Sequence, residues 1–167
     1  MKKKLKPVKP IIWFTGLPGS GKTKLSSSIY NYLKKKIKIK LIDGDKFRNS
    51  IKNFNYDQKS RNIVGNKKLA LAKRINLQGN IVLVSGVASN KIWRKKTKLR
   101  CKNLYEIYLK CPIRVLKLRN KKIYKIINKP FKYEEGDSVD LIVDTNKLLK
   151  HQSTNKVLRF LKRKKLI

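Results

Sequence analysis

The segment Gly16-Leu17-Pro18-Gly19-Ser20-Gly21-Lys22-Thr23 constrains this chain more than any other part of it. It lies between an apolar run, Ile11 to Thr15, and a stretch in which Leu25, Ile29, Tyr32 and Leu33 recur at helical spacing. Its glycines let the backbone wrap tightly enough for successive N–H groups to face one anion, and the following helix adds the positive end of its dipole. Strand, loop and helix together make the G-x-x-x-x-G-K-[ST] phosphate-binding unit, so residues 16 to 23 are expected to hold ATP. Lys22 would reach the β- and γ-phosphates, and the Thr23 hydroxyl would bind Mg²⁺.

Short apolar runs alternate with amphipathic stretches along the rest of the chain, the pattern of an α/β protein with a parallel sheet. Strands are expected at Ile11 to Thr15, Ile37 to Ile42, Ile81 to Ser85, Tyr105 to Leu109 and Leu141 to Val143. A helix is expected from Gln58 to Leu77, with Ile63, Leu69, Ala70 and Leu77 as its inner stripe and Gly79 as its stop. Others follow at Lys91 to Lys102, after Pro112, and from Thr154 to Leu166 with Val157, Leu158 and Leu161 inward; coil is expected from Lys129 to Asp140. At 167 residues and 40% hydrophobic content the chain can bury a core as one domain, residues 11–167, preceded by a basic arm, residues 1–10.

The apolar run after the lysine-rich start is too short for a signal peptide, and no stretch approaches the length of a membrane span. A cytoplasmic location is therefore expected. Cys101, Cys111 and the lone His151 do not form a metal-ligand cluster, and the two cysteines read as ordinary reduced thiols. The excess of 45 Lys and Arg over 9 Asp and Glu, a formal charge of +36, has two readings: a surface that tracks a nucleic-acid backbone, or a compositional bias that fills solvated faces with lysine. Its even spread along the chain favours the second, with nonspecific affinity for polyanions.

Asp43-Gly44-Asp45 stands at the end of the second expected strand, where open α/β sheets bind ligands. Such a pair can hold Mg²⁺ through water and accept the proton of an acceptor hydroxyl, or it can be an Asp-Gly turn that caps the next helix. The third strand ends Val84-Ser85-Gly86, without the Asp that a switch or motor ATPase places there, which points to small kinases.

The run Ile12 to Thr23, followed by Leu41-Ile42-Asp43-Gly44-Asp45 and Arg48, resembles the adenylylsulfate kinase family. Phe54, Asn62 and Ile63 match that family's Phe-Ser-x-x-Asp-Arg-x-x-Asn-Ile segment, and Tyr133-Glu134 with Asp140 to Thr145 matches its closing strand. The resemblance implies a P-loop kinase of three α/β/α layers around a five-stranded, mostly parallel sheet. It implies transfer of the ATP γ-phosphate to the 3′-hydroxyl of adenylyl sulfate. By the same resemblance Lys22 and Asp45 are catalytic, Thr23 and Asp45 hold the metal, and Asp43, Arg48, Phe54, Lys59 and Asn62 bind the acceptor. Arg119 falls at the family's adenine-side arginine, where it either stacks on the ATP base or makes no contact.

Departures gather on the acceptor side. The family's Asp-Arg is Gln58-Lys59 here, and Asn-Ile-Arg-Arg is Asn62-Ile63-Val64-Gly65. A serine that some members phosphorylate falls on Ala88. The lid between Arg119 and Tyr133 is shorter, with Lys121, Lys122, Lys125 and Phe131 as its remaining candidates. A small nucleotide is the expected acceptor, either adenylyl sulfate or another nucleotide whose tail mimics a phosphosulfate, such as cytidine diphosphoramidate in surface-polysaccharide synthesis. A nucleic-acid-binding protein with a nucleotide pocket is the reading from a different class, and a homodimer is compatible with either.

Overall fold

The computed structural model describes residues 8–55, 57–126, 133–137 and 139–167. Its apolar runs become a parallel sheet because they are covered on both faces and so read as continuous rather than alternating. The strands are β1 (Ile11–Thr15), β2 (Ile39–Ile42), β3 (Ile81–Ser85), β4 (Leu104–Lys110) and β5 (Leu141–Asp144). They lie in the order β2-β3-β1-β4-β5, and every pairing is parallel. All of β1 and β3 is buried. With β1 flanked by β3 and β4, the winding reverses beside it and leaves a crevice at the carboxyl ends of the strands.

The helices are α1 (Lys22–Leu33), α2 (Gly44–Ser50), α3 (Gln58–Leu77), α4 (Lys91–Arg100), α5 (Ile113–Arg119), α6 (Lys121–Ile126) and α7 (Lys150–Arg163). One core cluster joins the sheet to α1 and α7 through Leu25, Ile29, Leu33, Val157 and Leu161. A second joins the opposite sheet face to α3 and α4 through Ile11, Trp13, Ala72, Val82 and Trp93. These are the three layers expected from the sequence.

Several elements differ from expectation. Helix α7 starts at Lys150 rather than Thr154, because the Gln152 side chain turns back to accept from the Leu149 amide and caps the earlier turn. Tyr32 is 47% exposed instead of facing the sheet, and the Lys36 ammonium lies over its ring. The inner stripe of α3 is also corrected. Leu69 packs against the core as expected, but Ile63, Ala70 and Leu77 point to solvent, whereas Ser60, Val64, Lys68, Ala72 and Asn76 are buried. Apolar spacing misses this face because two of its members are polar groups serving backbone carbonyls: Asn76 donates to Lys9 and Asn80, and Lys68 to Ser85. Asn103 also donates to the Lys9 carbonyl, so the chain is fastened to the sheet before β1 begins.

One buried cluster sets the position of Thr15, the last residue before the glycine loop. Its hydroxyl donates to Glu106 at 3.0 Å, and the Tyr133 hydroxyl lies 2.7 Å from it. Glu106 is ion-paired with Arg94 at 2.8 Å, with both side chains at most 3% exposed. The Arg94 guanidinium also stacks on the Tyr133 ring and donates to the carbonyls of Ala88 and Glu134. Removing one member of such a pair strands the other charge in a low dielectric. Arg94→Met is therefore expected to lower unfolding free energy in urea by about 3–5 kcal/mol, with part of the loss recovered in Arg94→Met/Glu106→Gln. A single-variant loss below about 1 kcal/mol would contradict this role.

Candidate active site

The loop between β1 and α1 takes left-handed backbone at Gly16 (φ 136°), Gly19 (φ 80°) and Gly21 (φ 91°). Gly16 has a packing reason as well, since a Cβ there would lie 2.7 Å from the Leu109 carbonyl oxygen. Gly21 caps α1 without any side-chain bond, and the first turn holds no acidic residue. The N-terminal amides of a twelve-residue helix are thereby left open toward the cleft.

Lys22 lies across this loop. Its ammonium donates to the Leu17 carbonyl at 2.7 Å and approaches the Ser20 hydroxyl at 3.5 Å. Burial lowers its pKa to about 7; Asp45 works against that shift and Lys68 adds to it. A lysine so placed holds its proton less firmly than an exposed one, and a polyanion beside it would favour the charged form.

Asp43 is both a helix cap and a site residue, so the two sequence readings of Asp43-Gly44-Asp45 coexist. One carboxylate oxygen accepts from the amides of Asp45 and Lys46 at the start of α2. The other accepts from the Thr23 hydroxyl at 2.9 Å and the Ser85 hydroxyl at 3.4 Å. Burial works to raise the Asp43 carboxyl, but the bonds from Lys46, Thr23, Asp45 and Ser85 together bring it below its ordinary value. The structure thus brings Thr23 to Asp43 rather than to Asp45, the metal partner expected from the sequence. Ser85, at the strand end where other P-loop proteins carry Asp, also accepts from the Gly44 amide at 3.0 Å and locks α2 to β3.

Asp45 is exposed and lines a cleft of about 760 Å³ that runs along the carboxyl ends of the strands. At the α2–α3 end the cleft wall includes Trp13, Arg48, Gln58, Arg61, Asn62, Gly65, Lys68 and Trp93. Arg48 donates to Asn53 and to the Asn55 carbonyl, holding the loop after α2. Asn62 accepts from Gln58 at 2.9 Å. Phe54 and Lys59 are exposed and stand outside the lining, although the sequence places both on the acceptor. Helical spacing is the reason: Gln58, Arg61 and Asn62 share the cleft face, which turns Lys59 away.

At the other end Arg119, Asn120, Ile123, Thr145, Leu148 and Leu149 form the wall. Arg119 donates to the Thr145 carbonyl at 2.9 Å and meets the Cys111 sulfur at 3.5 Å, so it is held in place rather than free on the surface. Helix α6 closes over the glycine loop through Tyr124, whose hydroxyl donates to the Pro18 carbonyl at 3.0 Å. Lys121, Lys122 and Lys125 are exposed, and Phe131 lies outside the described residues. Among the described residues no group of three or more His, Cys, Asp or Glu could hold a metal by itself. No helix among them is long and apolar enough to cross a membrane.

Sequence reasoning overlooked Lys68, Ser85, Trp93 and the Thr145 to Leu149 wall. The position of Ser85 and Thr145 at strand ends was a usable signal for those two. Lys68 gave none, being one lysine among many.

Comparison with known proteins agrees with this fold. The profile of the family described as Adenylylsulphate kinase matches residues 9–132. A cytidine diphosphoramidate kinase of Campylobacter jejuni is 32% identical over 148 residues, covering 81% of this chain and 86% of its own. An adenylyl-sulfate kinase of Clostridium kluyveri is 34% identical over 169 residues, covering 90% and 82%. A Mycobacterium tuberculosis APS kinase solved in complex with AMPPNP and APS superposes with a TM-score of 0.81 at 21% identity, over 94% of this chain and 99% of that one.

The depressed Lys22 makes one expectation direct. Its free pKa lies near 7 and a bound triphosphate raises it, so protons are taken up on binding at pH 8, where the free amine is mostly neutral. Calorimetry with Mg-ATP in buffers of different ionisation enthalpy should show uptake at pH 8 that fades by pH 6. A binding heat independent of buffer at pH 8 would contradict it.

Proposed function

Since this chain belongs to the adenylylsulphate kinase family, we propose that it transfers the γ-phosphate of ATP to the 3′-hydroxyl of adenylyl sulfate, forming ADP and 3′-phosphoadenylyl sulfate. The observation that carries this reading is the placement of Asp45 in the same cleft as Lys22 and the glycine loop, with separate walls toward Arg119 and toward Trp93. One wall suits the donor nucleotide and the other the acceptor. Loop amides, the α1 N-terminus and Lys22 hold the triphosphate, while Arg119 and the Thr145 to Leu149 segment take its base end.

In the transfer, the acceptor oxygen forms a bond to the γ-phosphorus as the bond to the ADP oxygen breaks. Asp45 accepts the proton of the attacking hydroxyl. Arg48 and Asn62 orient the acceptor nucleotide. Mg²⁺ fits the Thr23 hydroxyl and the Asp43 carboxylate, a sparse donor set of the kind this ion completes with water and substrate phosphates. When bound, it neutralises charge on the phosphoryl groups.

A second acceptor, cytidine diphosphoramidate, is supported by the name of the Campylobacter relative and by the acceptor wall. Gly65, at a position the family fills with arginine, leaves the Trp93 ring so close that an added Cβ would meet it at 2.7 Å. An indole thus occupies space that a long cationic side chain would otherwise take. The chemical step is the same for both acceptors, and only the base-side contacts differ.

Lys22→Ala should abolish turnover with either acceptor. Asp45→Asn should lower kcat by roughly 10²-fold or more while leaving the Kd for ATP within about threefold. Coupled assays of ADP release, run with each acceptor, check both variants and identify the acceptor by kcat/KM. Undiminished kcat in Asp45→Asn would remove it as the base.

A further inference from the structure

Lys68 is the least expected residue of the cleft. It is only 4% exposed, yet it belongs to the cleft lining. Among the described residues its one hydrogen bond runs to the Ser85 carbonyl at 3.2 Å, which leaves the other N–H donors of the ammonium without a partner there. The surroundings are shaped around the ammonium. A Cβ at Gly86 would lie 2.8 Å from Nζ and one at Gly44 3.2 Å, so both glycines keep that space open.

Among the described residues no carboxylate is paired with it. Asp43 already accepts from Thr23, Ser85 and two amides, and both Asp45 and Asp43 act on Lys68 through their fields without a hydrogen bond to it. Burial, followed by repulsion from Arg48, lowers the Lys68 pKa to about 8. A buried cation that lacks a counter-ion is unfavourable unless an anion arrives to accept its free donors. Its helix decides which anion. Lys68 extends from α3, the helix that also presents Gln58, Arg61, Asn62 and Gly65, and it ends beneath Gly86 on the side of Trp13 rather than of Arg119.

We infer that Lys68 is an acceptor-binding residue, its ammonium taking an anionic oxygen of the acceptor's phosphoryl-linked tail beside Arg48. The inference rests on the proposed function and extends it. Arg48 and Lys68 make a pair of like charges that an anionic tail draws together, so the site favours acceptors with a negative tail over uncharged nucleosides.

The test compares wild type with Lys68→Met, which keeps length and helix propensity without charge, and Lys68→Arg, which keeps the charge. Acceptor affinity is read from quenching of Trp13 and Trp93 by adenylyl sulfate and by cytidine diphosphoramidate, and steady-state kinetics supply KM for acceptor and ATP. Lys68→Met is expected to raise the Kd and KM of the bound acceptor by roughly tenfold or more while ATP KM stays within about twofold. Lys68→Arg should restore most of the acceptor affinity, and adenosine, which lacks the tail, should bind wild type and Lys68→Met alike. A merely structural lysine would shift thermal unfolding without this split. Acceptor Kd unchanged in Lys68→Met, or ATP KM rising as much as acceptor KM, overturns the assignment while leaving the proposed function in place. Wild-type protein that neither binds nor turns over either acceptor overturns the proposed function, and this inference with it.

Discussion

A loop that turns three times through left-handed backbone and delivers an uncapped helix end to the edge of a buried strand is the constraint on which the rest depends. Every element near the cleft is arranged around it. β1 is central and wholly buried, so the loop leaves from a fixed point. Thr15 is clamped by Glu106 and Tyr133 below the loop, Leu109 packs against Gly16 at its side, and Tyr124 fastens α6 above it. Preorganised amides are useful to phosphoryl transfer because they need not reorient as charge moves.

The electrostatics of the cleft follow from how few carboxylates the chain has. Nine acidic residues face 45 basic ones, and Asp43 and Asp45 stand within the field of Lys22 and Lys68. Both lysines are depressed mainly by burial, and the carboxylates only partly offset it. A cleft of this kind suits anionic substrates. The remaining lysines are largely spread over exposed helix faces, in keeping with a compositional bias rather than one designed surface.

Much of this was legible from residue order alone. The glycine loop is legible because its spacing falls between a strand and a helix, the context that phosphate binding needs, and β1 and β3 were read to the residue. The acceptor wall was harder. Family resemblance placed Lys59 and Phe54 on the acceptor, but the pitch of α3 turns Lys59 outward, and Phe54 sits exposed on the loop after α2. Lys68 and Asn76 escaped notice because an apolar stripe cannot reveal a buried face built partly from polar groups that satisfy backbone carbonyls. Ser85 likewise acts through Asp43 and Gly44, a tertiary relation with no local signature.

The most direct measurement is a ³¹P NMR time course of the full chain with Mg²⁺, ATP and adenylyl sulfate, repeated with cytidine diphosphoramidate. The account predicts that ADP appears in step with a new phosphomonoester on one acceptor's ribose, one for one. An unchanged ATP spectrum, or ADP accompanied only by inorganic phosphate, would contradict it.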